Sequence, residues 1–386
     1  MDSAARTGGM ARGVFTADHE IFRTQVRRFF EREIVPFHRD WERAGIVPRE
    51  VWRKAGAEGL LCPMMAEEHG GAGADFGYAA VIIEEIARSN ASGIGFPLHS
   101  DIVVPYVEEF ALPQKKREWL PRMAKGEIIT AIAMTEPGMG SDLKAVRTTA
   151  RRDGSDWIIN GSKTFISNGQ NCGLVIVVCK TDPGAGRNGI SLICVEEGTP
   201  GFTKGRNLEK VGMHAADTSE LFFDEVRVPA ENLLGEENAG FSYLIRNLPQ
   251  ERLVIAIRAA MSMDVMLQKT IDYAKDRKVF GQTVFDFQHN RFKLAELRAN
   301  ATMFRVFVDH CLAAHMNGGL SIEMAAQAKL LGTEMQNRLL DDCLQMHGGN
   351  GYMADYEIGR AWADARVGRI YGGSSEIMKE IIARSL

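Results

Sequence analysis

No two cysteines in this sequence stand at Cys-x-x-Cys spacing. The six that occur (Cys62, Cys172, Cys179, Cys194, Cys311, Cys343) are scattered over 386 residues. That pattern reads as reduced thiols of an intracellular protein, not as a disulfide framework. Zinc is equally unsupported, because His310, Cys311 and His315 fall in one helical stretch with no second ligand cluster. No apolar run reaches the ~18 residues of a membrane span; Leu174 to Cys179, among the longest, has strand length. Charge of one sign is also lacking. Lys and Arg total 46 against 50 Asp and Glu, a net −4, which gives no electrostatic reason to expect nucleic acid or an anionic membrane as partner. Internal repeats and low-complexity linkers are missing. Met1 to Gly13 has Arg6 and Arg12 but no apolar core, which excludes a secretory signal. A mobile N-terminal arm is expected there, a remnant of a mitochondrial transit peptide being the alternative.

What is present is an ordinary globular composition, 45% hydrophobic and 25% charged, long enough for two or three domains. Three regimes of periodicity follow one another. From Thr16 to about Gly126 apolar residues recur at helical spacing, as in Ile21, Phe22, Val26, Phe29 and Phe30. From Ile128 to about Val228 short apolar runs alternate with turn residues. Asn160-Gly161 and Asn168-Gly169 are the strongest stops, and Leu174–Cys179, Ile190–Val195 and Leu221–Val228 are further strands. Strands without intervening helices predict an antiparallel barrel or sandwich. Beyond Gly240 long helical segments return: Arg252 to Arg277, Asp286 to Met316, Ser321 to Met346, and a last one after Ser374-Ser375. Helices of this length with short connectors predict a four-helix bundle. The expected fold is α+β, with a helical domain over 1–127, a β-domain over 128–235 and a bundle over 236–386.

Several loops are able to carry chemistry. Met134-Thr135-Glu136-Pro137-Gly138-Met139-Gly140-Ser141-Asp142 follows a strand and can bring backbone N–H groups to a polar ligand. It lacks the full G-x-G-x-x-G and no crossover helix follows, which disfavours a Rossmann site; a plain strand-ending loop is the competing reading. Gly372-Gly373-Ser374-Ser375-Glu376 opens the last helix, where free first-turn N–H groups favour an electron-rich group, or simply mark a capped helix. Gln345-Met346-His347-Gly348-Gly349 ends a long helix in glycines, which is ordinary C-capping unless something docks there. Glu251 borders the apolar run Leu253-Val254-Ile255-Ala256-Ile257. Partial desolvation there would suit a general base, but by local sequence alone a first-turn glutamate favoured by the helix dipole is the better explanation.

Taken together these motifs resemble the acyl-CoA dehydrogenases: Met134 to Asp142, Phe165-Ile166-Ser167-Asn168-Gly169, Arg277-Lys278-Val279-Phe280-Gly281, Gln345 to Gly351 and Tyr371 to Glu376. The resemblance runs in order from about Phe15 to Leu386. It implies a helical domain, a β-barrel domain and a four-helix bundle, assembled as a homotetramer. It implies that FAD is bound, that acyl-CoA is oxidised to trans-2-enoyl-CoA, and that electrons pass to electron-transferring flavoprotein. By position, Ile132, Ala133, Met134, Thr135 and Ser141 correspond to the loop holding the flavin ring, with Ser141 also near the CoA. Phe165, Ile166 and Ser167 flank the ring, Phe165 standing where many members have Trp. Arg277, Phe280, Gln288, Gln345, Met346, His347, Gly348 and Gly349 correspond to residues that a neighbouring subunit presents to the cofactor. Ser374, Ser375 and Glu376 meet it after the active-site loop. Tyr243, Pro249, Gln250, Arg252 and Gly373 fall on the substrate side.

One departure bears on mechanism. Many members place the catalytic glutamate immediately after the tyrosine corresponding to Tyr371, where this chain has Gly372. The long-chain and isovaleryl types place it at the start of the first bundle helix, and Glu251 in Leu-Pro-Gln-Glu-Arg-Leu occupies that position. The string, the ending Ile370 to Glu380, and Phe96 to Tyr106 look most like the long-chain type. The resemblance therefore implies Glu251 as base and the Gly372 N–H as a donor to the enolate oxygen, on medium- to long-chain acyl-CoA. An acyl channel is expected beside Phe96, Pro97, Ser100 and Val103. A short branched-chain, isovaleryl-type enzyme and a non-catalytic family member acting as an assembly partner are the alternatives. A bacterial cytoplasm, or a mitochondrial matrix in a eukaryote, is the expected location.

Overall fold

The computed structural model describes Arg6, Thr7 and residues 10–386, with side chains from Arg12 onward. After a small hairpin of β1 (Arg6–Thr7) and β2 (Met10–Ala11), the helical periodicity becomes α1 (Ala17–Phe29), α2 (His38–Ala44), α3 (Arg49–Ala57), α4 (Phe76–Arg88), α5 (Val104–Phe110) and α6 (Pro113–Ala124). Thr16 caps α1 by accepting from the His19 N–H, and Val26 and Phe29 on its inner face are fully buried. A single turn of wider π geometry, Leu98–Val103, leads into α5.

Much of the expected N-terminal arm (residues 1–5, 8 and 9) lies outside the described residues. Arg12 departs from that expectation, because it is anchored. Its guanidinium donates to Glu84 on α4 and to Asp309, at 2.8 and 2.6 Å, and is almost completely buried. Arg23 and Arg305 reach the same Glu84 carboxylate at 2.7 and 2.9 Å. Burial pushes the Glu84 carboxyl up, but Arg12, Arg305 and Arg23 together outweigh it and hold it down at about 2.

The central third forms β3 (Thr130–Ala133), β4 (Thr149–Asp153), β5 (Asp156–Ser167), β6 (Leu174–Lys180), β7 (Ile190–Glu196), β8 (Phe202–Asn207) and β9 (Thr218–Pro229). They pair in the order β3-β6-β4-β5-β9-β8, with β7 on β6. The sheet is mixed and not purely antiparallel, since β3 runs parallel to β6 from Thr130↔Leu174 to Ala133↔Val177. The long excursion between these strands lets the chain return in the same direction. Asn160-Gly161 also departs from expectation: β5 continues through it with a register shift, not a turn. A Cβ at Gly161 would sit 2.4 Å from the Thr148 hydroxyl, so glycine is required by close approach. Asn168, at φ +60, does end the strand.

The last third contains α7 (Gly240–Asp276), a hairpin of β10 (Lys278–Val279) and β11 (Gln282–Thr283), α8 (Gln288–Met316), α9 (Ile322–His347), α10 (Glu357–Ala365) and α11 (Ser375–Ala383). The long helices pack through Leu253, Ile257, Met263, Phe304 and Leu339. Short α10 was not apparent from the sequence. The larger correction is α7, which begins twelve residues before Arg252 and carries Pro249 inside it. One lost N–H bond is outweighed by burial of Leu244 and Leu253 on either side.

Candidate active site

Glu251 therefore lies well past the helix start, and the first-turn dipole explanation falls away. Its carboxylate is buried, and Oε1 accepts a 2.8 Å hydrogen bond from the Tyr106 hydroxyl on α5. Burial pushes the carboxyl up to about 7, against the pull of the Tyr106 O–H and of Arg252. One turn further along α7, Ile255 meets the loop after α10. A Cβ at Gly372 would lie 2.5 Å from Ile255 Cδ1, and Gly372 sits at φ +61, so glycine suits this position twice over. Among the described residues nothing accepts from the Gly372 N–H. Lys329 on α9, fully buried, fixes the same loop by donating to the Gly373 carbonyl at 2.6 Å. Burial, then the nearby Arg252, lowers Lys329 to about 8. Arg252 is itself buried, and its Nε and Nη1 have no hydrogen-bond partner among the described residues.

Substrate-side candidates divide. Gln250 spends both ends of its amide inside the protein, donating to the Asp101 carbonyl (2.6 Å) and pairing with His315 Nε2 (2.9 Å). Tyr243 stacks on Phe110 at 4.0 Å, its hydroxyl accepting from the Glu236 N–H. Pro249 is half-buried between them in sequence. Phe96 and Ser100, expected beside an acyl channel, are both buried. Phe96 packs edge-on against Trp52 and Ser100 accepts from the Cys62 N–H, both within the helical core. A small cleft lies between the end of α4 and α7, lined by Asn90, Ile255, Arg258, Ala259, Ser262 and Tyr371.

A second cluster sits where β3 and β5 end. Ile132 and Ala133 close β3, and the Thr135 carbonyl accepts from the Thr164 N–H at 2.9 Å, so Met134-Thr135 lies beside Phe165-Ile166-Ser167. Ile166 is buried; Phe165, at φ +59, turns its ring outward and is 67% exposed, next to exposed Ser167. The loop is held from behind. Lys163 Nζ donates to the Met134 carbonyl, to Glu136 Oε1 and to the Val178 carbonyl at 3.1, 2.9 and 2.7 Å, while Glu136 accepts from the Arg147 and Thr148 N–H groups. Ser141 is exposed further along. The Leu98–Val103 turn joins the two clusters: His99 Nδ1 contacts the Thr130 hydroxyl at 2.8 Å, while the Asp101 carbonyl takes Gln250.

The third set stands apart. Arg277, Phe280 and Gln288 gather with Gln345, Met346, His347, Gly348 and Gly349 at the far end of α7, where Tyr273 stacks on His347 at 4.2 Å. Phe280 is 96% exposed at the hairpin tip. At ~1.5 Å per residue, Glu251 and Arg277 are separated by about 39 Å of helix. Ser374 caps α11 by accepting from the Ile377 N–H, Ser375 donates to Glu334, and Glu376 is exposed in the first turn.

Tyr106, Lys163 and Lys329 were missed. Lys329 had a signal, a lone lysine among Ala325, Ala326, Ala328 and Gly332 on an otherwise small, buried face. Tyr106 had none, since its partner is 145 residues away.

Comparison with known proteins agrees with this geometry. Family models for the acyl-CoA dehydrogenase N-terminal, middle and C-terminal domains match residues 16–127, 131–226 and 238–386. The long-chain specific acyl-CoA dehydrogenase, mitochondrial, of Sus scrofa is 52% identical over 377 residues, covering 97% of this chain and 88% of the relative. A crystal structure of an acyl-CoA dehydrogenase from Geobacillus kaustophilus superposes with TM-score 0.96 at 48% identity, covering 97% of this chain and 99% of the other. A glutaryl-CoA dehydrogenase from Mycobacterium smegmatis, solved in complex with FADH2, gives TM-score 0.90 at 28% identity, covering 96% and 95%. A buried carboxylate, on the helix whose Ile255 meets a left-handed glycine loop, thus stands in a fold shared end to end, and the chain belongs to the acyl-CoA dehydrogenase family.

Proposed function

We propose that this chain is an FAD-dependent acyl-CoA dehydrogenase of fatty-acid β-oxidation, acting on medium- to long-chain thioesters with Glu251 as the base. The observation that carries the reading is the Glu251 carboxylate, buried, raised to about 7, and one turn from Ile255 where it meets Gly372. Such a group is ionised at mildly alkaline pH and is a stronger base than an exposed glutamate. The Gly372 N–H, without an acceptor among the described residues, suits the oxygen of the enolate. Buried Arg252 adds positive charge beside it. Ser141, Tyr243, Pro249 and Gly373 would border the CoA thioester, with Gln250 acting through its ties to Asp101 and His315.

The residues present fit a flavin. An outward-turned aromatic ring at Phe165, the Ser167 hydroxyl and the buttressed Ile132–Thr135 loop would hold its ring end, with Ser374, Ser375 and Glu376 nearby. When bound, FAD supplies the acceptor for the β-hydride. Arg277, Phe280, Gln288 and Gln345 to Gly349 lie at the far end of α7, about 39 Å of helix from Glu251, which supports their serving a neighbouring copy in a homotetramer. Electron-transferring flavoprotein is the proposed electron acceptor. Among the described residues no helix is long and apolar enough to cross a membrane. The proposed compartment is the cytoplasm of a bacterium or the mitochondrial matrix of a eukaryote.

Anaerobic bleaching of the flavin by a series of acyl-CoA thioesters tests cofactor, reaction and substrate together. Decanoyl- to tetradecanoyl-CoA should outperform butyryl- and isovaleryl-CoA in kcat/KM; the reverse order sinks the long-chain reading. Glu251→Gln should keep its flavin and bind acyl-CoA while turnover falls about 10²–10⁴-fold. More than about a tenth of wild-type turnover would mean another base.

A further inference from the structure

We propose that Tyr106 is a positioning residue for the reaction: its hydroxyl occupies Glu251 Oε1, so that Oε2 takes the α-proton. The inference rests on the assignment of Glu251 as base. Tyr106 is 0% exposed, and its hydroxyl lies 2.8 Å from Oε1. Among the described residues no other group donates to the Glu251 carboxylate. A buried carboxylate with no donor would be free to rotate and costly to ionise. The single O–H from α5 addresses both, fixing one oxygen and favouring the charged form.

The surroundings narrow the control to this bond. Arg252 is the neighbouring cation on α7, and Lys329 on α9 faces Arg252. Glu109 on α5 acts on Tyr106. Asp101, in the Leu98–Val103 turn, is held well up by burial, and His315 on α8, lowered by burial, reaches the region only through Gln250. None of these touches the Glu251 carboxylate. Burial and the Glu251 charge push the Tyr106 hydroxyl well above its ordinary value, so it remains a donor across any assay range. In the reaction the α-proton passes to Oε2. The C–H electron pair stays with the substrate and becomes the new double bond as the β-hydride departs.

The pH profile of kcat/KM tests this. Removing a donor from a carboxylate disfavours ionisation, so Tyr106→Phe should move the acid limb upward by about one pH unit. Flavin content and KM at high pH should stay within a factor of about two, while kcat there should fall about two- to tenfold as the carboxylate loses its fixed orientation. Replacing Tyr106 with 3-fluorotyrosine, a stronger donor of nearly the same size, should move the limb downward, and it carries the test should Tyr106→Phe fold poorly. An unmoved limb in these proteins overturns the role. Glu251→Gln separates the two ideas. If it is inactive while Tyr106→Phe leaves the limb in place, only the Tyr106 role falls; if it stays active, the base assignment and this role fall together.

Discussion

Ile255 stands over Gly372: a Cβ added at 372 would lie 2.5 Å from Ile255 Cδ1. The helix that carries Glu251 and the Gly372 loop are therefore in contact through one methyl group, one turn from Glu251. The contact explains why this chain cannot carry a side chain at 372 without change elsewhere. It also makes the loop position depend on α7.

A double-mutant cycle measures that contact. Gly372→Ala should cost about 1–2 kcal/mol from the left-handed backbone alone, and more from the collision. Ile255→Val deletes Cδ1 at about 0.5–1.5 kcal/mol. In thermal or urea unfolding, the double variant should be less destabilised than the sum of the singles, by roughly 0.5–1 kcal/mol. Strict additivity would show that the two residues do not meet.

Behind the other cluster, Lys163 is the fixed point of the Met134–Ser141 loop. Lys163→Met would strand the buried Glu136 carboxylate, a loss of about 3–5 kcal/mol. The melting temperature and the flavin retained after gel filtration should both fall. Adding Glu136→Gln removes the stranded charge and should recover part of the stability but little of the flavin, because the Met134 carbonyl remains untethered. Full flavin content in Lys163→Met would contradict the role given to the loop.

The architecture was legible because periodicity changes sharply near residues 128 and 240, and because each long helix carries its own apolar stripe. The site was legible only in part. Glu251, judged by its local sequence, looked like a first-turn residue because Pro249 reads as a break; the helix runs through it since Leu244 and Leu253 are buried on either side. Asn160-Gly161 looked like a turn because the same pair that suits a hairpin also suits a bulge pressed against Thr148. Parallel pairing of β3 with β6 joins strands 40 residues apart in sequence and leaves no local turn signal between them. The partners of Phe96 and Ser100, Trp52 and Cys62, stand over thirty residues earlier. Contacts across such separations carry no local signature.

Glu251 also makes stability depend on pH. Its folded value of about 7 lies above the ordinary 4.5, so protonation favours the folded state. The contribution is fully present below about pH 4.5, and it is lost progressively as pH rises through about 7. Above that, burying the ionised carboxylate costs on the order of 3 kcal/mol, at about 1.36 kcal/mol per pH unit. Glu251→Gln keeps the acceptor for Tyr106 and carries no charge. It should therefore melt several degrees above wild type at pH 8, and the two should converge near pH 5. Measuring both melting curves from pH 5 to 8.5 checks the sign as well as the size. A glutamine variant that is less stable than wild type at pH 8, or equally displaced at every pH, would show that Glu251 is not held in the neutral form by burial.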